Sequence, residues 1–253
     1  MLKKILLTFG INSFLFGYVV QAQTELTLPF VESIHQSTYV NAASLPDHKV
    51  SIGLPGISSV SFDVTNTGFT YNDIVNDETK KYDPYKALNA MSKENYMNIG
   101  NKTDLFSLRV KVRSMYFILN ATESVNFKFS YPKDLFTLML KGNYDQTSFN
   151  FSSLGINISH NREYGLGVTR EGRKLIIGGR VKLLQGLANV YSRTDNLKFD
   201  TDVNNGNQMT ASAKGEVFTS VPFSNTTMNY LNNWGNLGGG IDLAVSYKSV
   251  SYT

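Results

Sequence analysis

Along Gly165–Arg170, Leu175–Tyr191 and Ile241–Tyr247, apolar and polar residues take turns almost one for one. Successive side chains of a β-strand point to opposite faces, so this period of two describes strands with one apolar and one polar face. Repeated along the chain, the pattern predicts an all-β antiparallel sheet. Its apolar face must be hidden from water, either against a second sheet or against lipid.

The first residues narrow that choice. Lys3 and Lys4 are followed by a largely apolar run from Ile5 to Val20 and by Val20-Gln21-Ala22, which has the small-residue character of a peptidase site. A cleavable signal peptide over 1–22 is predicted, and Asn12-Ser13 weakens the alternative of an anchoring helix. No later stretch supplies the roughly 18 apolar residues a spanning helix needs, so any membrane contact is left to strands. There is no cysteine, which excludes a disulfide framework and thiolate metal sites. Charged residues make up only 17% while Tyr and Phe number 14 and 16, a balance that suits a lipid-facing wall with aromatic rims. The formal charge of +4 includes Lys3 and Lys4, leaving no electrostatic case for nucleic acid.

The expected organisation is a signal over 1–22, a non-strand lead or plug over 23–57, and an outer-membrane β-barrel of roughly 8–10 strands over 58–253. Gln23–Pro55 reads as extended and polar. Ser58–Thr65 alternates, with Val60, Phe62 and Val64 on one side. Asn66–Asp104 reads as a long polar loop holding a short helix over Tyr85–Lys93. Strands are expected within Leu105–Tyr131, a helical segment over Pro132–Lys141, then strands over Phe149–Ser159, Glu163–Arg170, Lys174–Tyr191, Asp195–Asp202, Gln208–Phe218 and Gly239–Tyr252. A soluble β-sandwich would give similar alternation, but its strands are usually near 5–6 residues.

Several runs carry a resemblance. Ser37–Asp47, Lys49–Gly56, Asn66–Asp73, Phe129–Leu135, Asn161–Gly167 and Gly179–Asn189 resemble, in order, an exported Bacteroidetes family grouped with outer-membrane β-barrels and known only as a domain of unknown function. The resemblance implies a barrel in the bacterial outer membrane. Two departures stand out: Asn41-Ala42-Ala43 replaces the family's Asn-Pro-Ala, and the family continues with further strands after the region like Gly239–Tyr252. A C-terminally short, incompletely closed barrel is therefore expected.

Arg109, Lys111, Lys128, Arg180 and Lys182 fall on the polar parity of their strands and are the candidate lumen-lining residues. Asp63, Glu163, Glu216 and Asp242 are their candidate partners. Such a set describes either an internal ion-pair lattice or an anion-favouring pore. His35, His48 and His160 share no metal-ligand spacing, and His160 reads as part of a strand-end turn. Gly178-Gly179 marks a candidate strand kink. No nucleophile, base and orienting group come together, so no enzyme, cofactor or metal is expected. Two functions remain: a transport channel for small or amphipathic solutes, and an accessory barrel holding envelope proteins through Asn66–Asp104. Outer-membrane lipid is the expected surrounding in both.

Overall fold

The structure is a computed structural model that describes residues 34–75, 81–221 and 228–248. The predicted signal peptide and the first third of the lead lie outside the described residues.

Nine strands form one antiparallel sheet. They are β1 (Val50–Gly53), β2 (Val60–Asn66), β3 (Glu94–Val112), β4 (Met115–Pro132), β5 (Ser148–Asn150), β6 (Gly155–Glu171), β7 (Leu175–Asp202), β8 (Gln208–Thr219) and β9 (Leu237–Tyr247). Four short helices accompany them: α1 (Ser37–Val40), α2 (Tyr71–Ile74), α3 (Pro84–Ala90) and α4 (Lys133–Lys141). Tight turns join β3 to β4 and β6 to β7 at what we term the hairpin end. The turn after Val112 is made by Arg113, with a left-handed φ of 56°, and Ser114. At the opposite, cap end lie α2, α3, α4 and the outer part of β7.

The nine strands occupy only six places across the sheet. β1 and β2 share one edge of β3, which is followed by β4, β6 and β7. The 28-residue β7 takes β6 and then β5 along one edge, and β9 and then β8 along the other. The sheet is not closed into a barrel: among the described residues β1 and β2 form one edge, β8 and β9 the other, and no pairing joins them. Six places fall short of the eight or so strands of small closed barrels. Counting strands in the sequence gives roughly eight to ten and cannot reveal that four of the nine share the edges of a single long strand.

Several expected boundaries are also corrected. Val50–Gly53, read as part of a non-strand lead, pairs with β3. The polar half of β3, Glu94–Asp104, was read as loop but pairs with β2 and β4 throughout. Its alternation is hidden by a bulge between Asp104 and Phe106, which inserts Leu105 and moves the even-numbered residues from one face to the other. The two strands expected over Phe149–Ser159 and Glu163–Arg170 are largely one, β6. Those over Lys174–Tyr191 and Asp195–Asp202 are likewise one, β7, where bulges at His160/Asn161 and Thr194/Asn196 break the parity.

The helices follow local chemistry closely. Asp83 caps α3 by accepting from the Tyr85 and Lys86 amides, and Pro84 takes the first position, where its missing N–H does no harm. α4 starts after Pro132, with Asp134 in its first turn and Lys141 in its last, as the helix dipole favours. Leu88, Met91 and Tyr131 form a small core here, packed with Phe69, Met97, Phe129, Phe136, Leu140 and Leu154. Tyr131 anchors the loop by donating to Asn66 Oδ1 at 2.5 Å.

Toward the hairpin end the two faces of the sheet differ sharply. Val50, Val110, Phe117, Val168 and Leu243 stand in one outward row, and Ile52, Leu108, Leu119, Leu166, Val181 and Ile241 in the next. Many are open to the surroundings, Leu243 at 83% and Ile241 at 72%. The opposite face holds Arg109, Asn120, Thr169 and Arg180, all buried. This inverts the water-soluble pattern, in which charged residues are rarely fully buried.

Candidate functional site

Register brings the polar side chains into transverse rows. Ser51, Arg109, Ile118, Gly167, Arg180 and Asp242 form one. The row nearer the hairpin end contains Lys111, Tyr116, Thr169, Gly178 and Ala244. The row toward the cap contains Ser107, Asn120, Gly165, Lys182 and Gly240. Glycine at 165, 167 and 178 leaves the middle of this patch without side chains. Residues 34–46 of the lead lie there.

The lead is bound by its backbone as much as by its side chains. Thr169 Oγ1 donates to the Ala42 carbonyl at 2.6 Å. That carbonyl occupies the space a Gly178 Cβ would need, so glycine is required by close backbone approach. Arg109 donates to the carbonyls of Pro46 (3.2 Å) and Ser44 (3.5 Å), and its guanidinium lies 4.1 Å from the centre of the Tyr116 ring. Gln36 donates to Asp104 Oδ2 and to the Ser58 carbonyl, and Tyr39 donates to the same Asp104 oxygen at 3.2 Å. Asn41 reaches Ser246 of β9 at 3.4 Å. Its own side-chain oxygen accepts from the Ala43 amide at 2.9 Å, closing the turn. The lead thus touches β3, β6, β7 and β9 together.

Of the five candidate lumen residues, four meet here. Arg180 pairs with Glu163 and Asp242, each at 3.1 Å, and Lys182 pairs with Asp242 at 2.8 Å. Lys111 pairs with Glu171 at 3.0 Å, a partner the sequence did not suggest. Arg109 is fully buried. Lys128 lies apart toward the cap, 4.6 Å from the Tyr96 ring centre. Asp63 sits against Gly100 and lines the cavity described below, whereas Glu216 lies exposed on β8 opposite Arg193. The lattice of ion pairs accounts for Lys111, Arg180 and Lys182, and only Arg109 is left with carbonyls and a ring.

His35 and Tyr39 were not singled out as lining residues, yet they sit at the centre. Their rings meet edge to face at 5.5 Å, and the Arg180 guanidinium lies 5.5 Å from the Tyr39 ring. Burial, and then the charges of Arg109 and Arg180, hold the His35 imidazole down at about 4. Burial and Asp104 raise the Tyr39 phenol well above its usual range. The only trace in the sequence was the glycines sharing a strand face. His160 is not at a strand end: it lies within β6, bonded to Glu123, which also takes Arg162 at 3.1 Å. Gly178-Gly179 is no kink either, because β7 is paired on both edges through it.

Above the lead, toward the cap, is a cavity of about 490 Å³ lined by β2, β3, β4, β6 and β7. One cavity bounded by five neighbouring strands makes this face concave. Asp63, Lys102, Thr122, Ser124, Arg162 and Glu163 give it a polar, mixed-charge wall.

Fold and site together define a class: an all-β protein whose curled antiparallel sheet carries a docked N-terminal plug on its polar concave face. The particular identity is that of a family. Residues 43–252 match the family described as "Family of unknown function (DUF5723)", and the chain belongs to it. No curated protein and no solved structure matches it.

Proposed function

We propose that this is a membrane-embedded envelope protein whose concave face, stoppered by residues 34–46, forms a gated path for small polar solutes. The carrying observation is the outward apolar belt. Leu237–Tyr247 spans roughly 33 Å at about 3.3 Å per residue, and a strand tilt near 40° reduces this to about 25 Å, the height of a lipid-facing band. Tyr247 stands at one rim, and the Tyr164–Trp234 stack stands at the other. Beyond the hairpin-end rim come exposed Lys49, Arg113, Arg170, Arg173 and Lys174, suited to lipid headgroups. The outer membrane is the destination this reading favours, reached through the predicted signal. Open edges are costly in lipid, so β1–β2 and β8–β9 require partners there.

The cavity wall favours uncharged or zwitterionic polar solutes, because most of the basic residues beneath it are already paired. A second reading is an accessory role in an envelope assembly. It is favoured by the exposed Tyr71, Tyr82, Tyr85, Met139 and Tyr144 around the helical cap.

The test is refolding in nonionic detergent, transfer to phospholipid vesicles, flotation, and then solute flux with and without residues 34–46. The proposal expects flotation, low flux for the intact chain and higher flux after deletion. Failure to float sinks the membrane reading. Flotation with no flux in either form sinks the solute path and leaves the accessory role.

A further inference from the structure

Arg109 presents a physical problem. A guanidinium with no exposure needs a counter-charge, because transferring an unpaired ion out of water is expensive. Among the described residues no carboxylate pairs with it. Its Nε has no hydrogen-bond partner, and the same is true of Arg180 Nη1, of both ring nitrogens of His35 and of the Asn120 amide. All four side chains are more than nine-tenths buried.

These orphaned groups are neighbours. Arg109 and Arg180 share one row with only Ile118 and Gly167 between them, both on the concave face. On a flat sheet that separation is roughly 14 Å, at about 4.8 Å per strand. Two long side chains shorten that gap, and the charges of both act on the His35 ring. Gly167 contributes no side chain, and the Cβ it lacks would come within 3.3 Å of Arg180 Cγ. Asn120 belongs to the adjoining row beside Gly165. His35 is placed over the pair by Tyr39, whose ring touches both the imidazole and the Arg180 guanidinium.

We propose that a small monovalent anion of chloride size binds between the plug and the sheet, held by Arg109 Nε, Arg180 Nη1, the Asn120 amide and His35. Buried polar groups are almost always satisfied, so several orphaned donors around one unpaired cation mark a missing acceptor. Among the described residues no carboxylate reaches Arg109, and the donors are sealed from solvent, which selects a compact ion over a bulky one. Tyr39 in the lead lies against the His35 ring, and the charges of Arg109 on β3 and Arg180 on β7 act on it; the carboxylates bound to these groups are Asp104 on β3, Glu163 on β6 and Asp242 on β9. The carboxylates there are engaged with Arg180, Lys182, Gln36 or Tyr39. The anion works as a bolt: it supplies the acceptor that the Arg109 guanidinium and the His35 ring otherwise lack, and so ties the plug to the sheet. It also makes protonation of His35 favourable, so anion and proton bind together. The site stands on the plug–sheet contact alone and does not depend on the membrane reading.

The test uses the refolded chain at constant ionic strength, with chloride replacing gluconate. Chloride should raise Tm by roughly 5–10 °C and saturate, the shift produced by ligand at about 100 times its Kd on a chain of this size. Chloride-35 line broadening, displaced by bromide, should report the site directly. Arg109→Met should remove both signals. Phosphate, too large for the sealed site, should not substitute. Coincident melting curves in chloride and gluconate, with no displaceable broadening, would mean that water satisfies these groups and would overturn the proposal. Should Arg109→Met fail to fold, those two measurements on the unaltered chain still decide.

Discussion

Gly178 and Gly179 are adjacent, identical and on opposite faces of β7, which makes them a matched test of plug docking. An alanine Cβ at 178 overlaps the Ala42 carbonyl and reaches the Ala43 amide nitrogen at 2.8 Å. Backbone is a poor yielder, so the plug must lift. Lifting breaks the buried bond from Thr169 to Ala42, which leaves an unsatisfied pair at about 1–3 kcal/mol, and the overpacking adds a similar amount. Together these come to roughly 2–6 kcal/mol against docking, a factor of about 30 to 25,000 in the docked-to-released ratio. At 179 the new Cβ meets Leu243 Cδ2 at 3.4 Å and the Asp242 carbonyl oxygen at 3.9 Å, ordinary contacts for a strand. Amide hydrogen exchange over residues 34–46 is the assay. Gly178→Ala should lose protection there while the sheet keeps its own, and Gly179→Ala should match the unaltered chain. Equal protection in all three would refute the docking energetics, and equal loss in both variants would mean that β7 itself is being disturbed.

Three further outcomes follow from the same geometry. Thr169→Val keeps the shape but removes the donor to Ala42, and should weaken plug protection by about 1–3 kcal/mol without altering detergent-resistant folding. In chloride-free buffer the plug should loosen as the pH falls. The docked His35 takes its proton only near 4 while the released one takes it at 6.5, so docking is strongest above 6.5 and declines down to 4, by on the order of 3 kcal/mol; exchange measured across that window should flatten in His35→Phe. Leu243→Arg, near the middle of the outward belt, should lower the stability of the vesicle-bound fold by about 2–4 kcal/mol, measured by denaturant titration in lipid, with little effect in water if no lipid contacts the belt.

Period-two alternation made much of the sheet legible: β2, β4, the ends of β6 and β7, and β9 were all placed within a few residues. Arg109 and Lys111 share one face of β3, and Arg180 and Lys182 one face of β7, a relation readable from parity because a strand's parity needs no knowledge of its neighbours. Parity failed at Leu105 and around Leu187, where a bulge shifts which residues face inward, and β3 and β7 were broken or shortened accordingly. The helices at 84–90 and 133–141 were foreseen within two or three residues because caps and prolines act locally.

What the chain determines by itself, then, is local: which residues alternate, where turns and caps fall, and which charges share a strand face. Only the tertiary structure decides which strands share an edge, that nine of them fill six places, and that Arg109 and Arg180 stand in one row. The plug site belongs wholly to this second class. The bond from Thr169 to Ala42 joins residues 127 positions apart, and Gly178 matters only because a carbonyl from the lead arrives above it. Such contacts are set by register summed over four strands, and each bulge along the way changes that sum, so no window of sequence contains it.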